Sequence, residues 1–139
     1  MSPLENSPLK QIGVVRSTLT DRKNAPRQGH LGAPNATVEI DPAFADALLG
    51  ISAGDRIILI TWLHKARREV MRVHPGHDPK RPLAGVFATR SPDRANPIGL
   101  HRVEVLSIDG TRLSVGPLEA IDGTPVIDIK PVMTQCADS

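Results

Sequence analysis

Seven short runs rich in Val, Ile, Leu and Thr recur along the chain, at residues 11–17, 35–40, 55–62, 84–89, 100–108, 111–116 and 124–129, separated by Gly, Pro, Asn and Asp. β-Branched side chains fit a pleated surface, and the punctuating residues favour turns, so the spacing predicts seven strands. Asp109-Gly110 separates the run 100–108 from 111–116 and reads as a hairpin turn. Within 100–108, Val103 and Val105 share one face by the period of two, and Leu100 is placed with them. Residues 42–49 form the best short helix, with Asp41 as N-cap, Pro42 in the first position and Gly50 just beyond the end. A second helix is expected over 65–73, closed by His74-Pro75-Gly76. Many short strands with few helices indicate a β-barrel or β-sandwich.

A chain of 139 residues is long enough for one domain with a single core. Phe44, Trp62 and Phe87 are the only aromatics, so that core must rest on Val, Ile, Leu and Ala. The same scarcity argues against a general single-strand binder, which needs stacking surface. The longest apolar stretch, 57–63, is interrupted by Thr61 and falls far short of the roughly 20 residues of a membrane span. The first ten residues lack the basic start and apolar run of a secretory signal and read as a polar tail. One cysteine, Cys136, cannot pair within the chain, so a cytoplasmic protein is expected. No GxGxxG follows a strand, which leaves no Rossmann fingerprint.

Net charge is +2 but unevenly placed. Lys65, Arg67, Arg68, Arg72, Lys80 and Arg81 stand against only Glu69 and Asp78 in one segment. Such a segment suits a polyanion bound at one face, or is a solvated charged loop.

Three stretches carry chemistry. Residues 85–100, GVFATRSPDRANPIGL, run from a strand into a loop with two prolines, which restrict the residues before them. Arg90, Ser91, Arg94 and Asn96 are thereby presented with little freedom left to lose on binding. The plainer reading is a Pro-rich connection with solvated arginines. Residues 122–131, DGTPVIDIKP, place Asp128 and Lys130 on one face of a strand after an Asp-Gly turn, as a site or as an ion pair. Pro26-Arg27-Gln28 is too short to mean much alone. His74, His77 and Cys136 lack metal-ligand spacing, so no metal is expected. Nothing orients a base toward Ser91, and no Ser-His-Asp case arises. His64, alone after an apolar strand, fits a base, a ligand contact or a core histidine.

In this order the three stretches resemble the TrmO, or TsaA-like, family, with its early PRQ, central GVFATRSPxRPNPIGL and late DGTPVxDIKP. The start at Ile12-Gly13-Val14-Val15-Arg16-Ser17 is similar too, so the resemblance spans residues 11–131, between tails at 1–10 and 132–139. It implies a mainly β fold, a small single-sheet antiparallel β-barrel with one or two short helices, that binds S-adenosylmethionine and forms a homodimer. Carried over, Pro26, Arg27, Gln28, His64, Lys65, Arg90 and Leu100 contact the cofactor, and Asp122, Gly123 and Thr124 close its pocket. Arg27 and Arg90 suit the cofactor's carboxylate, and Asp122 its ammonium and ribose hydroxyls. Arg67, Arg68, Arg72, Lys80 and Arg81 would guide the tRNA anticodon loop, with methyl transfer to N6 of threonylcarbamoyl-adenosine. Asn96, held by Pro97, is the candidate acceptor for the adenine amine, and Asp128 the next, although Asn96 also reads as a turn residue. Ala95, Asp93 and Val132 depart from the family pattern, and a C-terminal extension of larger members has no counterpart here; both bear on the acceptor. A small-molecule acceptor and a non-catalytic S-adenosylmethionine-binding module are the alternatives.

Overall fold

Six of the seven runs pair into one closed sheet. The computed structural model describes residues 3–27 and 29–133; Gln28 and Cys136 therefore lie outside the described residues. Strands β1 (Gly13–Arg16), β2 (Ala36–Ile40), β3 (Arg56–Trp62), β6 (Ile98–Asp109), β7 (Arg112–Gly116) and β8 (Pro125–Pro131) close a barrel in the order β1-β2-β7-β6-β3-β8. Every neighbouring pair is antiparallel. Two very short strands, β4 (Arg72–Val73) and β5 (Ala84–Gly85), form a separate ribbon.

Alternation decides what fills the barrel. Val15, Val38, Leu59, Val103, Val105, Leu113, Val115 and Val126 point inward and are buried, an aliphatic core. Phe44 and Leu48 cover it from the helix Pro42–Leu48, which is a 3₁₀ helix. Asp41 Oδ1 accepts from the Ala43 N–H at 2.9 Å, and Gly50 leaves the helix at φ +99°. No helix among the described residues is long and apolar enough to cross a membrane.

Four expectations are corrected. Leu100 has the opposite parity to Val103 and Val105, pairs with Ile60 and stands half-exposed outside the barrel; His101 takes the inward place. The β6–β7 hairpin turns one residue later than expected, on Gly110 and Thr111, with Asp109 paired to Arg112. Gly110 at φ +62° supplies the left-handed residue that two-residue hairpins need. Residues 65–73 form no helix: the Arg67 N–H donates to Asp93 Oδ1 at 2.8 Å, and Arg72–Val73 pairs with Ala84–Gly85. Tertiary partners here override a local preference of a few tenths of a kcal/mol per residue. The run 84–89 is strand only at Ala84–Gly85, then folds into the 3₁₀ turn Val86–Ala88, where the Thr89 hydroxyl donates to Val86 O.

Candidate functional site

A cavity of about 840 Å³ opens beside the barrel where loops from five separate parts of the chain converge. They are the segment before Gln28, the exit of β3, the turn Pro75–His77, the loop after Val86–Ala88 and the β7–β8 connection. Pro26, Arg27, His64, Lys65, Arg90 and Thr124, distant in sequence, all line it.

Each is placed by a local device. Arg27 Nη1 donates to Gly76 O at 3.2 Å, and a Cβ at Gly76 would sit 2.5 Å from that nitrogen. Gly76 also has φ +67°, so glycine serves both the turn and the arginine. Thr124 is buried, its hydroxyl donating to Ile121 O at 2.7 Å. Among the described residues Arg90 makes no hydrogen bond or ion pair, which leaves its guanidinium for a ligand. Burial, and then the Lys65 charge, hold the His64 ring below the ordinary histidine range and favour its neutral form.

The loop that carries Arg90 is held from within. Arg94 donates from Nη1 to Thr89 O and Ser91 O, both at 3.0 Å, and from Nη2 to Val86 O at 2.9 Å. Its guanidinium is spent on the backbone, so Arg94 shapes the loop. Asp93, one of the residues that depart from the family pattern, accepts from Arg22 Nη2 at 3.1 Å as well as from the Arg67 N–H, tying three loops together.

Other candidates lie outside the cavity wall. Leu100 is on the outer face of the barrel. Asp122 is engaged toward β1, where its Oδ1 accepts from the Ser17 N–H at 3.0 Å, and Gly123 follows it at φ +84°. Asn96 is exposed and accepts from Arg68 Nη2 at 3.3 Å. Asp128 Oδ1 accepts from the Ile129 N–H, and its Oδ2 is 3.4 Å from Lys130 Nζ, the ion pair of the plainer reading. Of the basic segment, Lys65 and Arg81 line the cavity. Arg67 is paired with Glu69 on the surface, and Arg68 lies over Trp62 at 5.0 Å with a hydrogen bond to Ala95 O. Arg72 and Lys80 are exposed. No group of three or more metal-ligating side chains occurs among the described residues.

Three residues that the sequence did not point to as a site meet at the floor: His101 and Glu119 line it, and Thr61 is buried behind them. His101 Nε2 is 2.7 Å from Thr61 Oγ1, and His101 Nδ1 is hydrogen-bonded to Glu119 Oε1. Thr61 is fully buried and does not line the cavity, so this chain is not an open nucleophile–base–acid triad. Gly99 makes room for it: a Cβ there would stand 2.5 Å from Thr61 Oγ1 and 2.7 Å from His101 Nε2. Gly99→Ala is therefore expected to cost about 1–3 kcal/mol, the usual penalty for overfilling a packed interior. Urea unfolding at equilibrium checks this; an unchanged midpoint would show that the pair shifts without strain.

The model for the tRNA-methyltransferase O N-terminal domain matches residues 14–139. The chain belongs to that family. Two proteins of Archaeoglobus fulgidus are each 46% identical over 123 residues. One, named a probable S-adenosyl-L-methionine-binding protein, has 88% of this chain matched to 33% of its own length. The other, named an S-adenosyl-L-methionine-binding protein, has 88% matched to 86%. The crystal structure of TrmO from Pseudomonas aeruginosa is similar with a TM-score of 0.75 at 32% identity, covering 96% of this chain and 57% of that one. This TrmO-family chain thus spans about a third of the first relative and little more than half of the solved TrmO.

Proposed function

We propose that this TrmO-family chain binds S-adenosylmethionine in the loop-lined cavity and is an N-methyltransferase acting on N6 of threonylcarbamoyl-adenosine beside the tRNA anticodon. The observation that carries the reading is the convergence of Pro26, Arg27, His64, Lys65, Arg90 and Thr124 on one cavity. The donor set fits the ligand. Arg27 and Arg90 answer a carboxylate, and the wall also carries Leu63, Ala88, Ala120 and Ile121 for an adenine face.

When bound, S-adenosylmethionine supplies a methyl group already activated by its sulfonium. The chain's own work is positioning, which contributes roughly 7–11 kcal/mol in well-oriented cases. Neutral His64 can accept a proton or a hydrogen bond at the β3 exit. Asn96, just outside the cavity and followed by buried Pro97, is the proposed acceptor for the adenine amine. The exposed cations of the basic segment, Arg67, Arg72 and Lys80, are the proposed tRNA track. A homodimer would cover Ile98 and Leu100, exposed on the outer face of β6 beside Ile60 and Trp62 of β3. The setting is cytoplasmic in this reading.

Calorimetry in chelator-containing buffer is expected to show S-adenosylmethionine binding to the purified chain alone. Nucleoside mass spectrometry should then show methylated threonylcarbamoyl-adenosine after incubation with tRNA from a strain lacking the modification. Binding without transfer to tRNA would favour a small-molecule acceptor or a non-catalytic module; no binding at millimolar ligand would sink the whole reading.

A further inference from the structure

The cavity has an uneven electrostatic character. Arg22, Lys23, Arg27, Lys65, Arg81 and Arg90 line it, and among the described lining residues Glu119 is the one carboxylate. Glu119 is mostly withdrawn from solvent, its side chain 16% exposed, and it stands at the floor between Gly29 and His101. A Cβ at Gly29 would lie 3.3 Å from Glu119 Oε2 and 2.8 Å from Pro117 O, so the chain passes close behind the carboxylate.

Its two oxygens differ. Oε1 is taken by His101 Nδ1, and Thr61 fixes the other side of that ring. Oε2 accepts no hydrogen bond among the described residues. With both ring nitrogens engaged and Gly99 packed against them, the ring cannot turn without losing a buried hydrogen bond. An acid held this way is a preformed acceptor for a cationic N–H donor.

Resting on the cofactor reading above, we propose that Glu119, oriented by His101, binds the ammonium of the cofactor's amino-acid end. That end is zwitterionic. Its carboxylate can choose among several arginines and lysines, but its ammonium has one anionic partner in the cavity wall. Asp122, the acceptor expected from the sequence, is turned toward Ser17 instead. Glu119 therefore fixes which way the amino-acid end lies, and a polyanion attracted by the basic opening is kept from the floor by the same charge. His101 is a positioning residue, since it reaches the ligand only through Glu119.

The test compares ligands that share adenosine and differ in the amino-acid end. S-Adenosylhomocysteine carries the ammonium; methylthioadenosine lacks it. Glu119→Gln keeps an acceptor for His101 and removes only the charge. Calorimetry is expected to show Glu119→Gln binding S-adenosylhomocysteine about 10-fold or more weakly, the scale of a lost charge-assisted hydrogen bond, with methylthioadenosine within about 3-fold. Glu119→Asp, which keeps the charge but draws it back, should show the same selectivity to a smaller degree. A thermal melt confirms that each variant is folded. Equal losses for the two ligands, or none for either, would overturn the assignment while leaving cofactor binding intact. If the wild-type chain bound neither ligand, nor S-adenosylmethionine, the cofactor reading itself would fall and the assignment with it.

Discussion

Reversing three surface charges, Arg67→Glu, Arg72→Glu and Lys80→Glu, is expected to weaken tRNA association by about 10²-fold near physiological salt. Each phosphate contact releases condensed counterions, and the logarithm of affinity falls with that of salt by about 0.7–0.9 per contact. Losing three contacts should therefore also flatten the salt slope by about two to three. The structure decides which bases to choose. Arg68 is left alone because it lies over Trp62 and donates to Ala95 O and Asn96 Oδ1, so a glutamate there would set a carboxylate against those two oxygens. Arg81 is left alone because it lines the cavity. At Arg67 it is the backbone N–H that Asp93 holds, and the side chain is paired with exposed Glu69, a contact worth little. Cofactor affinity should stay within about 3-fold. Filter binding across a salt series, with calorimetry of the cofactor alongside, reads both. A parallel loss of cofactor would show that this segment builds the pocket rather than the track.

The barrel was legible because its physics is local. Period-two alternation in 35–40 and 111–116 marks the inward Val38 and Val115, while 55–62, apolar at four consecutive positions, reads as a strand from its isoleucines; all three strands form within one residue of those bounds at each end. The helix at 42–49 was readable from Asp41, Pro42 and Gly50, although seven residues between two strands settle as 3₁₀.

What escaped the sequence depends on partners far along the chain. Residues 65–73 have helical composition, yet Asp93 captures the N–H of Arg67, and the segment follows the loops it joins. Arg94 and Arg90 look alike as letters; among the described residues three backbone carbonyls converge on one and none on the other. His101 was recoverable in principle. The period that places Val103 and Val105 inward also places His101 inward, and setting Leu100 on that face hid it. A histidine among buried valines calls for two polar partners, but which residues supply them, Thr61 and Glu119, only the closed barrel shows.

Asn96→Ala is expected to lower turnover by roughly 10²-fold at saturating tRNA and cofactor, the scale seen when a positioned catalytic hydrogen-bond group is removed. The residue is well placed to be rigid. Ile98 N–H donates to Asn96 O at 2.7 Å, Pro97 is buried, and Pro97 O accepts from the Leu63 N–H at 2.7 Å, at the exit of β3 beside the cavity. Its side-chain oxygen accepts from Arg68 at 3.3 Å, a long bond that leaves a second lone pair for the adenine amine. Cofactor affinity should stay within a few-fold, because the cavity wall does not include Asn96. The competing account is that Asn96 only steadies Arg68. Arg68→Met separates the two: it removes the guanidinium while leaving the asparagine oxygen in place. If Asn96 acts on the acceptor, Arg68→Met retains most of the single-turnover rate and Asn96→Ala does not. Asn96→Asp should keep partial activity, since it preserves an acceptor but gives Arg68 a charge to hold. Equal rates for Asn96→Ala and Arg68→Met would reduce Asn96 to a loop residue, and near-full turnover in Asn96→Ala would move the acceptor role to Asp128, which would first have to leave Lys130.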